Sequence, residues 1–209
     1  MTRAERAQRL RGIYAIVNEE PLRDAVALTQ AILSGGVRIV QYRAKRGIVP
    51  EHARAMRELA HAHQALFIIN DDWRAARTFD ADGVHLGPDD ALREDLASIR
   101  AALPERIIGV SCGTPQEARE AADADYIGVG SVFATSSKAD AGDPIGLGGL
   151  QGVAASTALP VAAIGGITLA LLPQVRATGV AMAAVISAIS AAPDPREASA
   201  ALVRAWNGS

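Results

Sequence analysis

The sequence predicts an α/β protein that forms a single (β/α)₈ TIM barrel, and three observations support this prediction. Short runs of apolar, often β-branched residues recur eight times, a stretch of helix-like composition follows each run, and most of the runs end in polar or small residues. Strands that alternate with helices imply a parallel sheet, either closed as a barrel or open and doubly wound. We favour the closed barrel because there are eight units and no G-x-G-x-x-G sequence opens the first crossover.

The predicted strands draw on a narrow set of residue types. Hydrophobic residues make up 49% of the 209 residues but aromatic residues only 4%, so the core must be built from Ala, Val, Ile and Leu. β-Branched residues favour strands, whereas Ala and Leu favour helices. The eight predicted strands are Ile13–Val17, Ile39–Tyr42, Leu66–Ile69, Val84–Leu86, Ile107–Val110, Tyr126–Val129, Val161–Ile164 and Ala183–Ile186.

The predicted helices follow these strands, and several carry start or stop signals. Thr114 and Asp194 are capping residues, and each is followed by a proline, which suits the first helical position. Glycine follows other helix-like stretches, as at Gly179, where it can end a helix. The predicted helices are Leu22–Leu33, Glu51–His63, Trp73–Thr78, Ala91–Leu103, Pro115–Ala122, Leu147–Thr157, Leu169–Ala177 and Pro195–Trp206.

Composition and charge exclude several classes of protein. A net charge of −2 with no basic tail argues against nucleic acid and against a membrane surface as partners. The single cysteine, Cys112, rules out an internal disulfide bond. The charged amino terminus is unlike a signal peptide, and no apolar stretch approaches the ~18 residues that a membrane span needs. We therefore expect a cytoplasmic protein with one domain over residues 1–209 and a barrel over about 12–206; a homo-oligomer is left open.

The second predicted strand carries the clearest functional signal. Gln41, Arg43 and Lys45 alternate along the chain where this strand ends. Side chains at alternating positions share one face of a strand. An Arg and a Lys on that face pack poorly in a core but bind anions well, so the spacing predicts an anion site.

Acidic residues follow the next two predicted strands. Asn70, Asp71 and Asp72 come directly after the third strand, and Asp89 and Asp90 come shortly after the fourth. Carboxylates at the ends of adjacent strands can converge on one Mg²⁺, which prefers oxygen ligands. The alternative is that some of these residues only cap helices, which is common at such positions. Taken together with the cationic strand beside them, they favour a metal site.

The fourth and fifth strands carry three further candidates. Ser111 either orients a substrate or satisfies backbone groups in a turn. Cys112 is interpreted as a small buried residue rather than a nucleophile, because no histidine lies near it in the sequence. His85 is interpreted as a packed, hydrogen-bonded histidine rather than a base.

Loops after the last three strands offer sites for phosphate. Thr135, Ser137 and Lys138 follow the sixth strand and can donate hydrogen bonds to phosphate, although such a loop can also be a plain solvated connection. Gly165-Gly166 ends the seventh strand and Ile186-Ser187 the eighth. A glycine pair can be only a tight turn. Barrels, however, often bind phosphate between these two loops.

Taken in order, these motifs resemble the thiamine-phosphate synthase family over nearly the whole chain, from about residue 13 to residue 189. No single motif is specific, but the ordered set is. The matching motifs are Q-x-R-x-K at Gln41, Arg43 and Lys45, N-D at Asn70 and Asp71, D-G-V-H-L-G-x-x-D from Asp82 to Asp90, G-V-S ending at Ser111, T-x-[ST]-K at Thr135, Ser137 and Lys138, I-G-G-I at Ile164–Ile167 and S-A-I at Ser187–Ile189.

The resemblance implies a site with two substrate halves and a metal ion. The residues implied to bind the pyrimidine diphosphate are Gln41, Arg43, Lys45, Asn70, Ser111 and Lys138. Those implied to bind the thiazole phosphate are Thr135, Ser137, Gly166, Ile186 and Ser187. Mg²⁺ would be bound by Asp71 and Asp90, the latter preferred to Asp89 by motif alignment. The residues implied to be catalytic are Ser111, Lys138 and Arg43.

The implied activity is that of a transferase acting on two phosphorylated small molecules. It would condense 4-amino-2-methyl-5-pyrimidinylmethyl diphosphate with 4-methyl-5-(2-phosphoethyl)thiazole, giving thiamine phosphate and diphosphate. The transition state would be loose and carbocation-like, so alignment and charge stabilisation dominate. Mg²⁺, Arg43, Lys45 and Lys138 would carry the charge of the leaving group. Whether the thiazole carries an extra carboxylate is left open.

Three departures from the family pattern leave other functions in view. Asn18, Cys112-Gly113 and Ala134 stand where the family often has Asp, a nearby His and Pro. The first alternative is an isomerase of the thiazole tautomerase branch, which shares the fold. That branch uses a His after strand five and lacks the full set of diphosphate and metal residues, the reverse of this sequence. The second alternative is a non-catalytic regulator that binds a phosphate ligand.

Overall fold

The computed structural model describes residues 1–87, 95–135 and 143–208, and within them eight parallel strands close into one barrel. Neighbours in sequence pair in the sheet, and the last strand pairs with the first, so the predicted (β/α)₈ barrel is confirmed. Asp89, Asp90, Ser137 and Lys138 lie outside the described residues. The strands are β1 (Gly12–Asn18), β2 (Ile39–Arg43), β3 (Leu66–Asn70), β4 (Gly83–Leu86), β5 (Ile107–Cys112), β6 (Tyr126–Val129), β7 (Val161–Ile164) and β8 (Met182–Val185).

The helices of the described residues surround this barrel, and the two predicted capping residues act as caps. Thr114 Oγ1 accepts from Glu117 N at 3.2 Å, and Asp194 Oδ1 accepts from Arg196 N at 2.9 Å. None of these helices is long and apolar enough to cross a bilayer. They are α1 (Arg3–Ala7), α2 (Ala25–Ser34), α3 (Pro50–Ala62), α4 (Trp73–Thr78), α5 (Leu96–Ala102), α6 (Pro115–Glu120), α7 (Gly146–Ala154), α8 (Leu172–Ala177), α9 (Ser187–Ser190) and α10 (Pro195–Asn207).

Helix boundaries are where the sequence prediction was wrong. Helix α2 begins at Ala25 rather than Leu22, because the Asp24 carboxylate accepts from the N–H groups of the second and third helical residues and so caps the helix there. Leu22, placed inside the predicted helix, is 98% exposed. The short helices α1 and α9 were not predicted, because five and four residues show no usable periodicity.

The strands divide their side chains between two cores. Alternate residues of a strand point to opposite faces, so Tyr14 and Ile16 of β1 enter the barrel interior while Ala15 and Val17 pack against the helices. The interior cluster consists of Leu10, Tyr14, Ile16, Ile39, Leu66, Ile68, Ile107, Tyr126, Ala162, Met182 and Ala184. The interior is thus filled with side chains, and the open space lies at its carboxyl end.

Helix α1 packs at the amino end of the barrel through ion pairs with two buried carboxylates. Arg6 Nε lies 2.9 Å from Asp82 Oδ1, and both side chains are almost fully buried. Asp125, at the equivalent place before β6, lies 2.6 Å from Arg3 Nε and also accepts from the backbone of β5. The charged groups at this end pair with one another, whereas the residues predicted to bind ligands follow the strands at the opposite end.

Candidate active site

A cavity of about 410 Å³ opens at the carboxyl ends of the strands. It gathers side chains from distant parts of the chain, including every predicted site residue within the described ranges. Asp90, Ser137 and Lys138 fall outside those ranges, so their roles stay predictions. The predicted residues that line the cavity are Gln41, Arg43, Lys45, Asn70, Asp71, Ser111, Thr135, Gly166, Ile186 and Ser187.

The strand that carries the cationic motif delivers its three side chains to different depths. Gln41 is buried, and its Nε2 donates to the Tyr14 hydroxyl at 2.7 Å. Arg43 lies higher, where its Nη1 donates to Asn18 Oδ1 at 3.2 Å. Lys45, beyond the end of β2, is the most exposed of the three, with its Nζ 2.6 Å from Asp71 Oδ2. The motif therefore forms a gradient from a buried amide to a solvent-facing ammonium.

Asp71 and Asp72 are neighbours with separate roles. Asp72 Oδ1 accepts from Ala75 N at 2.8 Å and caps α4, which confirms the capping alternative for this residue. Asp71 has a left-handed backbone conformation, with φ of 63°, a region that Asp tolerates better than most residues. Its N–H donates to His85 O at 2.8 Å, and its carboxylate lines the cavity. Asp71 is therefore the carboxylate of this pair that faces the cavity.

The predicted metal site lies only partly within the described residues, because Asp90 is outside them. The described residues show no group of three or more His, Cys, Asp and Glu side chains close enough to hold an ion. Asp71 and Glu117 both line the cavity, but a Glu117 oxygen already accepts from Gly113 N at 2.6 Å. The partly exposed carboxylate of Asp71, whose counter-charge is an exposed lysine, fits one ligand position of a hard cation, since Mg²⁺ completes its shell with water and phosphate oxygens.

Cys112 lies at the wall of the cavity and is chemically quiet. Its side chain is buried, as predicted. Burial, with a smaller contribution from the Glu117 carboxylate, raises the pKa of the thiol to about 11. The reactive form of cysteine is the thiolate, so this residue is a wall of the cavity and not a nucleophile.

The rate of alkylation measures the reactivity of the Cys112 thiol directly. At pH 8, a pKa of about 11 leaves almost all of Cys112 as the thiol, so iodoacetamide should modify the native protein on the order of a hundredfold more slowly than the urea-unfolded chain. Mass spectrometry of timed samples gives both rates. Equal rates in the two states would contradict a buried thiol with a raised pKa.

The glycine pair after β7 is required by its surroundings. Gly165 has φ of 101° and Gly166 has φ of 65°, a region that other residues rarely adopt. A Cβ on Gly166 would lie 2.5 Å from Ala134 O, and one on Gly165 would lie 2.7 Å from Ser131 Oγ. The loops after β6 and β7 are therefore packed backbone to backbone, which leaves their peptide groups close to any ligand in the cavity.

Gly166→Ala should separate this close packing from the cost of the backbone conformation. The clash with Ala134 O should reduce both thermal stability and affinity for a phosphorylated ligand. Gly146→Ala is the matched control, because Gly146 has nearly the same φ, 66°, but no atom within 4 Å of the added Cβ. We expect the control to lose about 1 kcal/mol of stability, the cost of a left-handed alanine, and to keep its affinity. Equal losses in the two variants would show that packing at Gly166 is unimportant.

Side chains inside the barrel form a series of hydrogen bonds between two predicted site residues, Gln41 and Ser111. His85 Nδ1 is 3.1 Å from the Tyr126 hydroxyl, and Nε2 is 3.1 Å from Ser111 Oγ, so the predicted packed and hydrogen-bonded histidine is confirmed. The Tyr126 hydroxyl in turn lies 2.9 Å from that of Tyr14. The sequence reasoning missed both tyrosines. Tyr14 had an available signal, because it shares an alternating face of β1 with Asn18 at the strand end, whereas Tyr126 is followed on its face by Gly128 and Gly130.

Fold and site together define a class of protein: a (β/α)₈-barrel enzyme with its active site at the carboxyl ends of the strands. The chain matches the TMP-TENI family, described as thiamine monophosphate synthase, over residues 13–189. It is 40% identical over 203 residues to a thiamine-phosphate synthase of Caldivirga maquilingensis, an alignment that covers 94% of this chain and 97% of the relative. The chain therefore belongs to the thiamine monophosphate synthase family, and the predicted family is confirmed.

Two further relatives agree with this assignment. A thiamine-phosphate synthase of Archaeoglobus fulgidus is 42% identical over 195 residues and is covered to 91%, as is this chain. The solved structure of a thiamine phosphate pyrophosphorylase from Pyrococcus furiosus superposes with a TM-score of 0.86 at 36% identity, covering 95% of this chain and 96% of that one. Sequence and structure comparisons thus identify the same family.

Proposed function

We propose that this protein condenses 4-amino-2-methyl-5-pyrimidinylmethyl diphosphate with 4-methyl-5-(2-phosphoethyl)thiazole to form thiamine phosphate and diphosphate. The observation that carries the proposal is that a cationic strand and a glycine pair line the same cavity. The bond between the pyrimidine methylene carbon and the diphosphate oxygen breaks, and its electron pair leaves with the diphosphate. The lone pair of the thiazole nitrogen forms the new carbon–nitrogen bond to that methylene.

The cationic side of the cavity suits the leaving group. Arg43 and Lys45 lie one above the other at the end of β2, with Asn70 on the next strand, and all three line the cavity. A departing diphosphate gains negative charge as the bond breaks, so cations already held in place stabilise the transition state more than the ground state. Lys45 now pairs with Asp71 and would exchange that partner for a phosphate oxygen.

The opposite side of the cavity suits a monophosphate. Gly165 and Gly166 follow β7, Ser187 follows β8, and Thr135 lies in the loop after β6. Glycine lets backbone N–H groups approach an anion closely, and hydroxyls add further donors. The thiazole phosphate would be held here, with its ring nitrogen turned towards the pyrimidine methylene. Alignment of two bound reactants supplies much of the rate enhancement in such a reaction.

Mg²⁺ would be held by Asp71, which fits one ligand position, together with Asp90. When bound, the ion supplies positive charge that neutralises the leaving diphosphate. Asp71 supports the assignment because its carboxylate lies at the cavity and beside Lys45. Direct displacement also needs no enzyme nucleophile, which agrees with a neutral Cys112 in the wall.

The test is a turnover assay with purified protein, both substrates and Mg²⁺. We expect diphosphate and thiamine phosphate in equal amounts, and neither when one substrate is omitted. Parallel reactions with the thiazole and with its carboxylated form identify the preferred acceptor. No diphosphate release together with tight binding of thiazole phosphate would favour a regulator, and interconversion of thiazole isomers without pyrimidine substrate would favour a tautomerase.

A further inference from the structure

Five polar side chains form one continuous hydrogen-bonded chain through the barrel interior, which we call the buried chain. They come from five different strands, and the two ends of the chain, Gln41 and Ser111, both line the cavity. The successive distances are 2.7 Å from Gln41 Nε2 to the Tyr14 hydroxyl, 2.9 Å from Tyr14 to the Tyr126 hydroxyl, 3.1 Å from Tyr126 to His85 Nδ1, and 3.1 Å from His85 Nε2 to Ser111 Oγ.

The buried chain has a direction because each tyrosine hydroxyl has one hydrogen to give. Burial raises the pKa of Tyr14 and Tyr126 well above the usual value, so both phenols stay protonated. Tyr14 accepts from the Gln41 amide, so its own hydrogen goes to the Tyr126 oxygen. Among the described residues, His85 Nδ1 is then the acceptor that receives the hydrogen of Tyr126.

This direction determines the hydrogen-bonding role of Ser111, where the buried chain meets the cavity. If Nδ1 of His85 accepts, the ring carries its hydrogen on Nε2 and donates it to Ser111 Oγ. Ser111 accepts that bond and lines the cavity, so we expect it to offer its own hydrogen to a bound ligand. At the other end of the buried chain, the Gln41 amide donates a hydrogen to Tyr14. Its carbonyl oxygen is then the acceptor that it can offer to a ligand in the cavity.

We propose that the buried chain positions the pyrimidine substrate by setting hydrogen-bond direction, with Ser111 as a donor, Gln41 as an acceptor, and Tyr14 and Tyr126 as positioning residues. This inference rests on the proposed function. An aminopyrimidine offers amine hydrogens to an acceptor and ring nitrogens to a donor, which matches the two ends of the chain. A ring with the opposite pattern would leave polar groups in the cavity unpaired, and such mismatches are costly.

The neighbouring residues pack closely against the rings of Tyr126 and His85. Two glycines, Gly109 on β5 and Gly128 on β6, stand where the rings of Tyr126 and His85 lie. A Cβ on Gly109 would lie 2.1 Å from Tyr126 Cζ, and one on Gly128 would lie 3.0 Å from His85 Cε1. The two rings are also in contact, with their centroids 5.4 Å apart. Each hydroxyl and ring nitrogen of the chain is therefore held in place by the fold.

The direct test is the tautomer of His85, measured by two-dimensional ¹⁵N–¹H NMR of the histidine rings above pH 8, where an ordinary imidazole is neutral. The chain has four histidines, and comparison with His85→Gln assigns the signal of His85. We expect a single Nε2–H form in the wild type and a substantial Nδ1–H population in Tyr126→Phe. An Nδ1–H form in the wild type, or an unchanged form in Tyr126→Phe, would overturn the proposed direction.

Tyr42→Phe is the matched control. Tyr42 is as buried as the other two tyrosines, but its hydroxyl donates to Glu19 Oε2 at 2.5 Å and does not belong to the buried chain. Loss of this hydroxyl should leave the tautomer of His85 unchanged, and a change equal to that in Tyr126→Phe would count against the proposal. If Tyr126→Phe does not fold by circular dichroism, Tyr14→Phe breaks the chain one link earlier and should also add Nδ1–H form.

Kinetics test the functional half of the proposal. We expect Tyr126→Phe to raise KM for the pyrimidine diphosphate about tenfold, the usual scale for one misdirected hydrogen bond, while KM for the thiazole phosphate stays within about twofold. Tyr42→Phe should change neither. Equal rises for both substrates would refute a role in pyrimidine positioning. A protein with the expected tautomers but no synthase activity would refute the proposed function and still support the direction of the chain.

Discussion

Asp71→Ala is expected to reduce turnover by about a hundredfold to a thousandfold, the scale seen when one group is removed from a preorganised electrostatic site. The carboxylate lines the cavity beside Lys45, 2.6 Å from its Nζ, and is the described candidate for a Mg²⁺ ligand. Its loss removes the ion's anchor and the partner that holds Lys45. Steady-state diphosphate release at saturating Mg²⁺ measures the effect.

Two companion variants make this prediction specific. Asp71→Asn keeps a residue that tolerates the left-handed conformation, so it removes the charge with little change in backbone preference. It should also lose most activity. Asp72→Ala removes the cap of α4 and should cost about 1 kcal/mol of stability while keeping turnover near the wild-type rate. Wild-type turnover in both Asp71 variants would eliminate this residue from the site.

Asp82→Ala is expected to lower the free energy of unfolding by about 3–5 kcal/mol, the range for breaking one side of a buried ion pair. The Asp82 carboxylate is fully buried and accepts from Arg6 Nε at 2.9 Å and from Phe67 N at 3.0 Å. Truncation leaves a buried guanidinium and a strand N–H without this acceptor. Urea unfolding followed by circular dichroism gives the change, provided that the m-value is unaltered.

Glu197→Ala is the control for Asp82. Glu197 pairs with Arg204 at 2.6 Å, but both side chains are more than half exposed, so water and salt screen the pair. Removing it should change stability by less than about 1 kcal/mol. If the two variants unfold at the same urea concentration, burial is not what gives the Arg6 pair its importance, and closure of the amino end by α1 contributes little.

Much of the fold followed from local patterns. The eight strands were located because short apolar, often β-branched runs recur along the chain, and Thr114 and Asp194 were recognised as caps because each precedes a proline. The start of α2 was placed three residues too early, because the apolar Leu22 was included in the helix. The helix begins after Asp24, where a carboxylate can accept from its first N–H groups. Boundaries depend on individual hydrogen bonds that a periodic pattern does not contain.

The candidate site was predictable for a related reason. Residues at the ends of parallel strands must meet at one edge of the barrel, so Gln41, Arg43, Asn70 and Ser111 could be grouped from their position alone. The division of roles between Asp71 and Asp72 was not predictable in this way. Both follow β3 directly, and only the backbone conformation turns one towards the cavity and the other towards a helix.

The sequence by itself determined the barrel, the family and the polar residues at the carboxyl ends of the strands, because these depend on residue type and spacing along the chain. Only the tertiary structure decided which side chains of the barrel interior form hydrogen bonds with one another. Tyr14 and Tyr126 are 112 positions apart, yet their hydroxyls lie 2.9 Å from one another. Barrel closure, which places β1 and β6 across a shared interior, brings them together. Contacts of this kind depend on the three-dimensional path of the backbone, so local sequence patterns carry no signal for them.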